Sequence, residues 1–397
     1  MNSTVAPTAD DLAARAEALV PWLRQEAAAT EQRRMLSAET MSRLHAAGFF
    51  RFFRPRAYGG YEMDWGAQYR FAKVLAHGCP STAWVASVVG QHSCHVARFP
   101  KAAQDEVWPD DSDLLITTGS VPRSNVRTER VDGGVRVSGS IGFASGIDHS
   151  SWAMALVPID GVMSQVLLPR RDYEIEDTWF VAGMRGTGTK DIHVPGAIVP
   201  DHRIMPSVVF NESDPPGAGV NPGYIYAMEF APVQGSSPLG PIIGTAEGAI
   251  EAYIEMTRTK KGAIYGNRVA DSSAVQMRLA ESAAEVHAAD SVALRDFAIL
   301  HEAGKSGRRL TEGERTAIVR NRALIAKLCV RAVHRLVGMM GASGLTDNNT
   351  VQRHYRDVQA MATQIGLAFD VNMPPWGRWA LGLDPGPGLH GSEKRRV

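Results

Sequence analysis

Two short stretches concentrate the residues that could do chemistry. The first, Gly142-Phe143-Ala144-Ser145-Gly146-Ile147-Asp148-His149-Ser150-Ser151-Trp152, ends a β-like run with small, hydroxylated and aromatic side chains. A backbone dressed in this way can approach something flat. The second, Trp179-Phe180-Val181-Ala182-Gly183-Met184-Arg185-Gly186-Thr187-Gly188-Thr189, has glycines that bring amides close to a ligand, while Trp179 could line a ring. The same residues also read as two glycine-rich turns with a buried tryptophan, and residue type alone leaves both readings open. His92 and His95 stand three apart in a helical stretch, a two-ligand face without a nearby acidic partner, so no metal site is expected.

The motifs of other chemistries are missing. There is no GxxxxGK[ST], no GxSxG and no HExxH. Gly183 to Thr189 is glycine-rich but lies inside a β region, not between the strand and helix of a βαβ unit. It therefore fails as a dinucleotide fingerprint, and the chain offers NAD(P)H no place of its own.

The elements that must position these stretches follow from hydrophobic period. Asp10 and Asp11 are candidate N-caps before Leu12, Ala16, Leu19, Val20 and Leu23, and Ser37 to Thr40 has a capping-box pattern. Helices are also expected over 65–76 and, very apolar, over 81–97. From residue 114 the pattern turns to short strands, with a hairpin signal at Asp132-Gly133-Gly134. Residues 211–223 are rich in Pro and Gly and read as a linker. Beyond it, 242–257, 274–303, 311–340 and 351–369 have helical periodicity and bundle-helix length. The fold class expected is α+β, mostly α: an N-terminal α-helical domain (1–112), a central antiparallel β-barrel domain (113–210) and a C-terminal four-helix bundle (224–397).

Composition narrows the function. The 397 residues carry 42 basic and 42 acidic side chains, so no broad field favours nucleic acid or an anionic membrane. Three scattered cysteines, Cys79, Cys94 and Cys329, make no disulfide framework and no CxxC pair. With no secretory pattern at the N-terminus and no apolar run of membrane-spanning length, a cytoplasmic protein is expected.

The order of segments, together with five motifs, resembles the acyl-CoA dehydrogenase fold. More narrowly, it resembles the oxygenase components of two-component flavin-dependent monooxygenases. The motifs are Pro80-Ser81-Thr82-Ala83-Trp84, Phe143-Ala144-Ser145-Gly146, Trp179 with Gly183-Met184-Arg185-Gly186-Thr187-Gly188, Arg356-Asp357, and Gly377-Arg378 with Leu381-Gly382-Leu383. The resemblance spans about residues 10 to 385. It implies reduced FMN or FAD, delivered by a separate NAD(P)H:flavin reductase and bound where the β domain meets the bundle. Trp84, Thr118, Gly119, Ser120, Phe143, Ala144 and Ser145 would contact the isoalloxazine and ribityl chain, with Trp179, Gln364 and Ile365 nearby. Arg258 and Lys260, with Ala342 and Ser343, would complete the phosphate end from a neighbouring copy in a homotetramer.

The implied activity inserts one atom of O2 into a small, aromatic substrate through a flavin C4a-hydroperoxide, which survives only in a dry site. Ser145 would accept the flavin N5–H, and His92 would hold or deprotonate a substrate hydroxyl. One departure stands out. Where the phenol hydroxylases of this family carry a second histidine, and acyl-CoA dehydrogenases a catalytic glutamate, this chain has Gln364, which cannot act as a base near neutral pH. That argues against an acyl-CoA dehydrogenase-type reaction, the alternative class. It also leaves open an intrinsically nucleophilic substrate, including one oxidised at nitrogen or sulfur.

Overall fold

The computed structural model describes residues 6–110, 114–262 and 266–386. The domain boundary expected at 112/113, and the last residues of the bundle domain, lie outside that set. Helix α1 (Ala9–Arg33) starts from a capping box in which Thr8, rather than Asp10 or Asp11, is the cap and Asp11 answers from the third helical position. Leu12, Ala16, Leu23 and Ala27 form its buried face. After α2 (Ala38–Ala46) and α3 (Ala67–Ala76) comes an apolar helical segment built from α4 (Pro80–Trp84), a π-helical turn (Val85–Val89) and α5 (Gly90–Val96). Helix α6 (Lys101–Val107) closes the N-terminal part.

The middle of the chain is a sandwich of two sheets, not the antiparallel barrel expected. Strands β1 (Ile116–Gly119), β5 (Trp152–Ile159), β6 (Val162–Pro169) and β9 (Ile204–Pro206) form one sheet in the order β1-β5-β6-β9. The other runs β2 (Val121–Pro122), β4 (Gly134–Ala144), β8 (Lys190–Pro200), β7 (Glu174–Glu176), with β3 (Arg127–Val131) also paired to β4. The β3–β4 hairpin turns where the sequence placed it, with Gly133 at φ +77°. The departure from antiparallel pairing is β1 against β5, which run parallel because the chain crosses to the second sheet and back between them. Val135, Val137 and Ile192 from one sheet meet Ala155, Val166 and Leu168 from the other in a dry layer.

Three short helices, α7 (Ser207–Phe210), α8 (Tyr224–Ala227) and α9 (Phe230–Gln234), carry the chain into the bundle. The intervening stretch is no loose linker. Buried Arg98 donates to the carbonyls of Phe210, Tyr226 and Met228, and Asn221 Nδ2 donates to Ala97 O. The bundle is α10 (Leu239–Thr259), α11 (Ser273–Ser306), α12 (Glu312–Gly338) and α13 (Thr350–Ala362), followed by the short α14 (Phe369–Asn372) and α15 (Pro374–Ala380). Helix α10 also lies against α3, so close that a Cβ at Gly244 would stand 2.0 Å from Lys73 O. The N-terminal helices and the bundle thus share one apolar core around Phe71, Leu75, Ile242 and Ile243. Among the described residues, no helix is long and apolar enough to cross a membrane.

The last bundle helix is shorter than its periodicity predicts. It stops at Ala362, with Thr363 as C-cap, where 351–369 was expected. The Gln364 side chain accepts the Gly366 N–H at 2.6 Å, and the Leu367 and Ala368 N–H groups both turn back to Gln364 O. A local side-chain bond of this kind competes with helix continuation. Gln364 therefore sits on a turn rather than on a helix face.

Candidate active site

The sandwich, the α4–α5 segment and the end of α13 enclose a cavity of about 740 Å³. The π-helical turn sets its first wall. In a regular helix, residues eight apart differ by about 80° in direction. The wider turn takes up an extra residue and swings them back, so that Trp84 and His92 both face the cavity.

His92 is buried, and its hydrogen bonds fix its tautomer. Nδ1 lies 2.9 Å from Ile116 O, an acceptor, so Nδ1 carries the hydrogen. Burial holds the ring down to about 4, against the opposing pull of the Ile116 bond, so Nε2 is bare near neutral pH. The Thr118 hydroxyl, 3.1 Å away, therefore donates to Nε2 and turns its lone pairs outward. The sequence assigned His92 acid–base work. In the structure its bare Nε2 accepts from Thr118. His95, its ring 4.9 Å behind, does not line the cavity.

The second wall is the end of β4 and the loop before β8. A register shift between Ile141 and Ala144, with Phe143 at φ 66°, turns the Phe143 ring out toward Trp179, whose ring is 6.2 Å away and nearly perpendicular. Beside it runs a chain of hydroxyls. Thr187 Oγ1 donates to Met184 O at 2.9 Å, which uses its one hydrogen. The 2.7 Å contact between Thr187 and Thr189 must then be donated by Thr189, and the 2.8 Å contact between Thr189 and Ser145 by Ser145. Ser145 has spent its hydrogen, so it meets the cavity as an acceptor; Trp84 Nε1–H already points at it from 3.4 Å.

The third wall comes from α13 and the turn after it, including Arg356, Gln364 and Ile365. This wall is locked to the second by Asp357, whose Oδ1 accepts the Met184 N–H at 2.6 Å, and by the approach of Gly183 to Arg356 O, where a Cβ would stand 2.0 Å away. Burial pushes Asp357 up to about 6, although the Met184 bond opposes it. Among the described residues Arg356 is the one charged residue on the wall, and it is committed to Glu31, Ala182 O and Gln352. Burial raises Glu31, but Arg356 and Arg353 outweigh it and hold the carboxyl below its usual range.

Of the residues singled out in the sequence, Trp84, His92, Thr118, Ser120, Phe143, Ser145, Trp179, Gln364 and Ile365 line one cavity. Gly119 and Ala144 do not line it; Gly119 packs on Ile141, and Ala144 is buried within the sandwich. Arg258, Lys260, Ala342 and Ser343 lie elsewhere too. Lys260 donates to Ser343 Oγ and Met340 O, while Arg258 and Ala342 are exposed. Sequence reasoning did not assign Thr187 and Thr189, although a Thr-Gly-Thr run after glycines is the visible signal. It also missed the clasp between Asp357 and Met184.

Known families and proteins match most of the chain. The model of the acyl-CoA dehydrogenase N-terminal domain matches residues 10–110, and that of the C-terminal domain matches residues 239–369. The chain is 32% identical to the oxygenase subunit HsaA of a flavin-dependent monooxygenase from Rhodococcus jostii, over 87% of this chain and 92% of that relative. It is 32% identical to the oxygenase component of an FADH(2)-dependent resorcinol hydroxylase from Rhizobium sp., over 94% and 95% respectively. XiaF from Streptomyces sp., solved in complex with FADH2 and glycerol, superposes with a TM-score of 0.88 at 26% identity, over 95% of this chain and 96% of that one.

Proposed function

This chain belongs to the oxygenase components of two-component flavin-dependent monooxygenases, built on the acyl-CoA dehydrogenase fold. From that premise we propose that it inserts one atom of O2 into a small aromatic substrate. A separate NAD(P)H:flavin reductase supplies the reduced flavin. The observation that carries this reading is the directed hydroxyl chain, because it leaves Ser145 as an acceptor among the aromatic side chains of Trp84, Phe143 and Trp179. Reduced flavin presents an N–H donor on a flat ring, and these residues fit both features.

When bound, reduced flavin supplies the electrons that activate O2 for transfer of one oxygen atom. The chain's own residues do the rest. Ser145 accepts a hydrogen bond at Oγ and keeps the flat ligand in register. Trp84, Val88, Phe143 and Met361 exclude water, which protects a reactive site from hydrolysis and proton leakage. Thr118, polarised by neutral His92, accepts the substrate hydroxyl. Among the described residues no Asp or Glu lines the cavity, which speaks against proton abstraction from an acyl thioester.

Arg258, Lys260, Ala342 and Ser343 serve, in this reading, the phosphate end of the flavin held by a neighbouring copy in a homotetramer. Their distance from the chain's own cavity and the exposure of Arg258 support that role. Buried, free Cys79, Cys94 and Cys329 fit a reducing cytosol.

The test supplies photoreduced FMN or FAD, 18O2 and a panel of phenols including resorcinol. One 18O atom in the product is the expected result, and absence of label overturns the assignment. Arg258→Ala with Lys260→Ala should weaken reduced-flavin binding about tenfold or more without moving the melting temperature. Unchanged binding removes the pair from the flavin site.

A further inference from the structure

We propose that Gln364 determines specificity at this site: a pinned amide donor that, with the acceptor Thr118, selects an uncharged aromatic hydroxyl. The inference rests on the monooxygenase reading and names the group that the cavity recognises.

Glutamine can present either end of its amide, and here the ambiguity is removed. The Gly366 N–H can only donate, so the atom it meets at 2.6 Å is Gln364 Oε1. The turn that holds this bond is itself tied down. Leu367 and Ala368 N–H close on Gln364 O, and Asn372 Nδ2 donates to Ile365 O at 2.7 Å. The Nε2 end of Gln364 has no partner among the described residues, on a side chain that lines the cavity. Gln359 and Tyr355 also line this wall, but no bond fixes the direction of their polar ends.

Thr118 is directed in the opposite sense. Its hydrogen goes to His92 Nε2, so it offers lone pairs. The cavity thus presents a fixed donor on one wall and a fixed acceptor on another. An aromatic hydroxyl matches both senses, with a hydrogen for Thr118 and lone pairs for Gln364. A thioether or a carboxylate has no hydrogen to give Thr118. An anion fares worse still, because Arg356, the one charged liner among the described residues, is already paired with Glu31, and the other described liners are neutral. A histidine in the place of Gln364 could take up charge; the amide cannot. The substrate is therefore held as a neutral phenol.

The probe is 4-nitrophenol, which absorbs differently as phenol and phenolate. It is titrated anaerobically into the protein with reduced FMN, and into the flavin-free protein, at a pH where the free probe is mostly phenolate. The bound probe should show the phenol spectrum. Gln364→Met should weaken binding about fivefold to tenfold, the loss of one hydrogen bond. Gln364→Glu should weaken it similarly near neutral pH and recover on acidification, as the carboxyl regains a hydrogen to donate. A bound phenolate in the wild type overturns the proposal, as does no binding in either arm. So does unchanged affinity in Gln364→Met at an unchanged melting temperature. If that variant unfolds, the wild-type spectrum and the pH rescue of Gln364→Glu still decide. The flavin-free arm reads the pocket without turnover, so a failure here is distinguishable from a failure of the oxygenase assignment.

Discussion

The two polar walls of the cavity are built by opposite means. On the sandwich side, Ser145, Thr189 and Thr187 pass hydrogens in one direction to a backbone carbonyl, and Thr187 and Thr189 are 2% and 4% exposed. Each member is oriented by the next, so no hydroxyl can turn without leaving a buried group unsatisfied. On the bundle side, a helix has just ended, Ile365 is 66% exposed, and Gln364 is held by one local bond. A network wired to the backbone suits a ligand that never changes, the role proposed for the flavin ring. A single side chain on a turn can be exchanged without rewiring a sheet, which suits the part of the site that differs between substrates.

The largest test of this contrast concerns the helical wall beside the sandwich, where His92 is sealed in as a neutral ring. Its folded value is depressed to about 4, while an unfolded histidine titrates near 6.5. Its contribution is therefore present above pH 6.5 and lost as pH falls from there through 4, up to ~3 kcal/mol. Asp357, raised to about 6, works the other way and favours the fold as pH falls through that value. Comparing wild type with His92→Gln in denaturant melts at pH 7.5 and 4.5 isolates the histidine. The variant should lose less stability on acidification, and equal losses would mean that water reaches the ring. The activity profile should show no limb near pH 6.5 from His92.

Next in size is the clasp between the walls. Asp357→Ala should cost about 2 kcal/mol, because it strands the buried Met184 N–H, and should loosen reduced-flavin binding. Thr189→Val breaks the hydroxyl chain and should cost about 1 kcal/mol, with a severalfold loss of flavin affinity that Thr189→Ser restores. Ser145→Ala should lower flavin affinity by a similar factor with little change in melting temperature. Smallest is Ile365→Ala on the open wall, within about 0.5 kcal/mol in stability. A larger loss there would show that the bundle wall is as rigid as the sandwich wall.

Much of this organisation was legible along the chain. Helical and alternating periods marked the three regions because burial on one face leaves a local imprint. The hairpin at Asp132-Gly133-Gly134 was readable because a tight turn has its own residue chemistry. The parallel pairing of β1 and β5 was not readable, since pairing partners far apart in sequence leave no local mark. The early end of α13 was equally hidden: the apolar period runs on past Ala362, whereas the chain turns there, with the Gly366 N–H donating to Gln364 Oε1.

Residue identities alone determined which chemistry was available: histidine, hydroxyls, aromatic rings and an amide where a base could have stood. Tertiary structure decided which of them converge, and in what sense each acts. Ser145 became an acceptor only because Thr189 takes its hydrogen, being itself committed to Thr187 as Thr187 is to Met184 O. His92 became a neutral acceptor only because the surrounding core strips it of water, while Ile116 O fixes its tautomer. Periodicity is written in neighbours along the chain, whereas the direction of a hydrogen bond and the charge of a buried ring depend on neighbours in space.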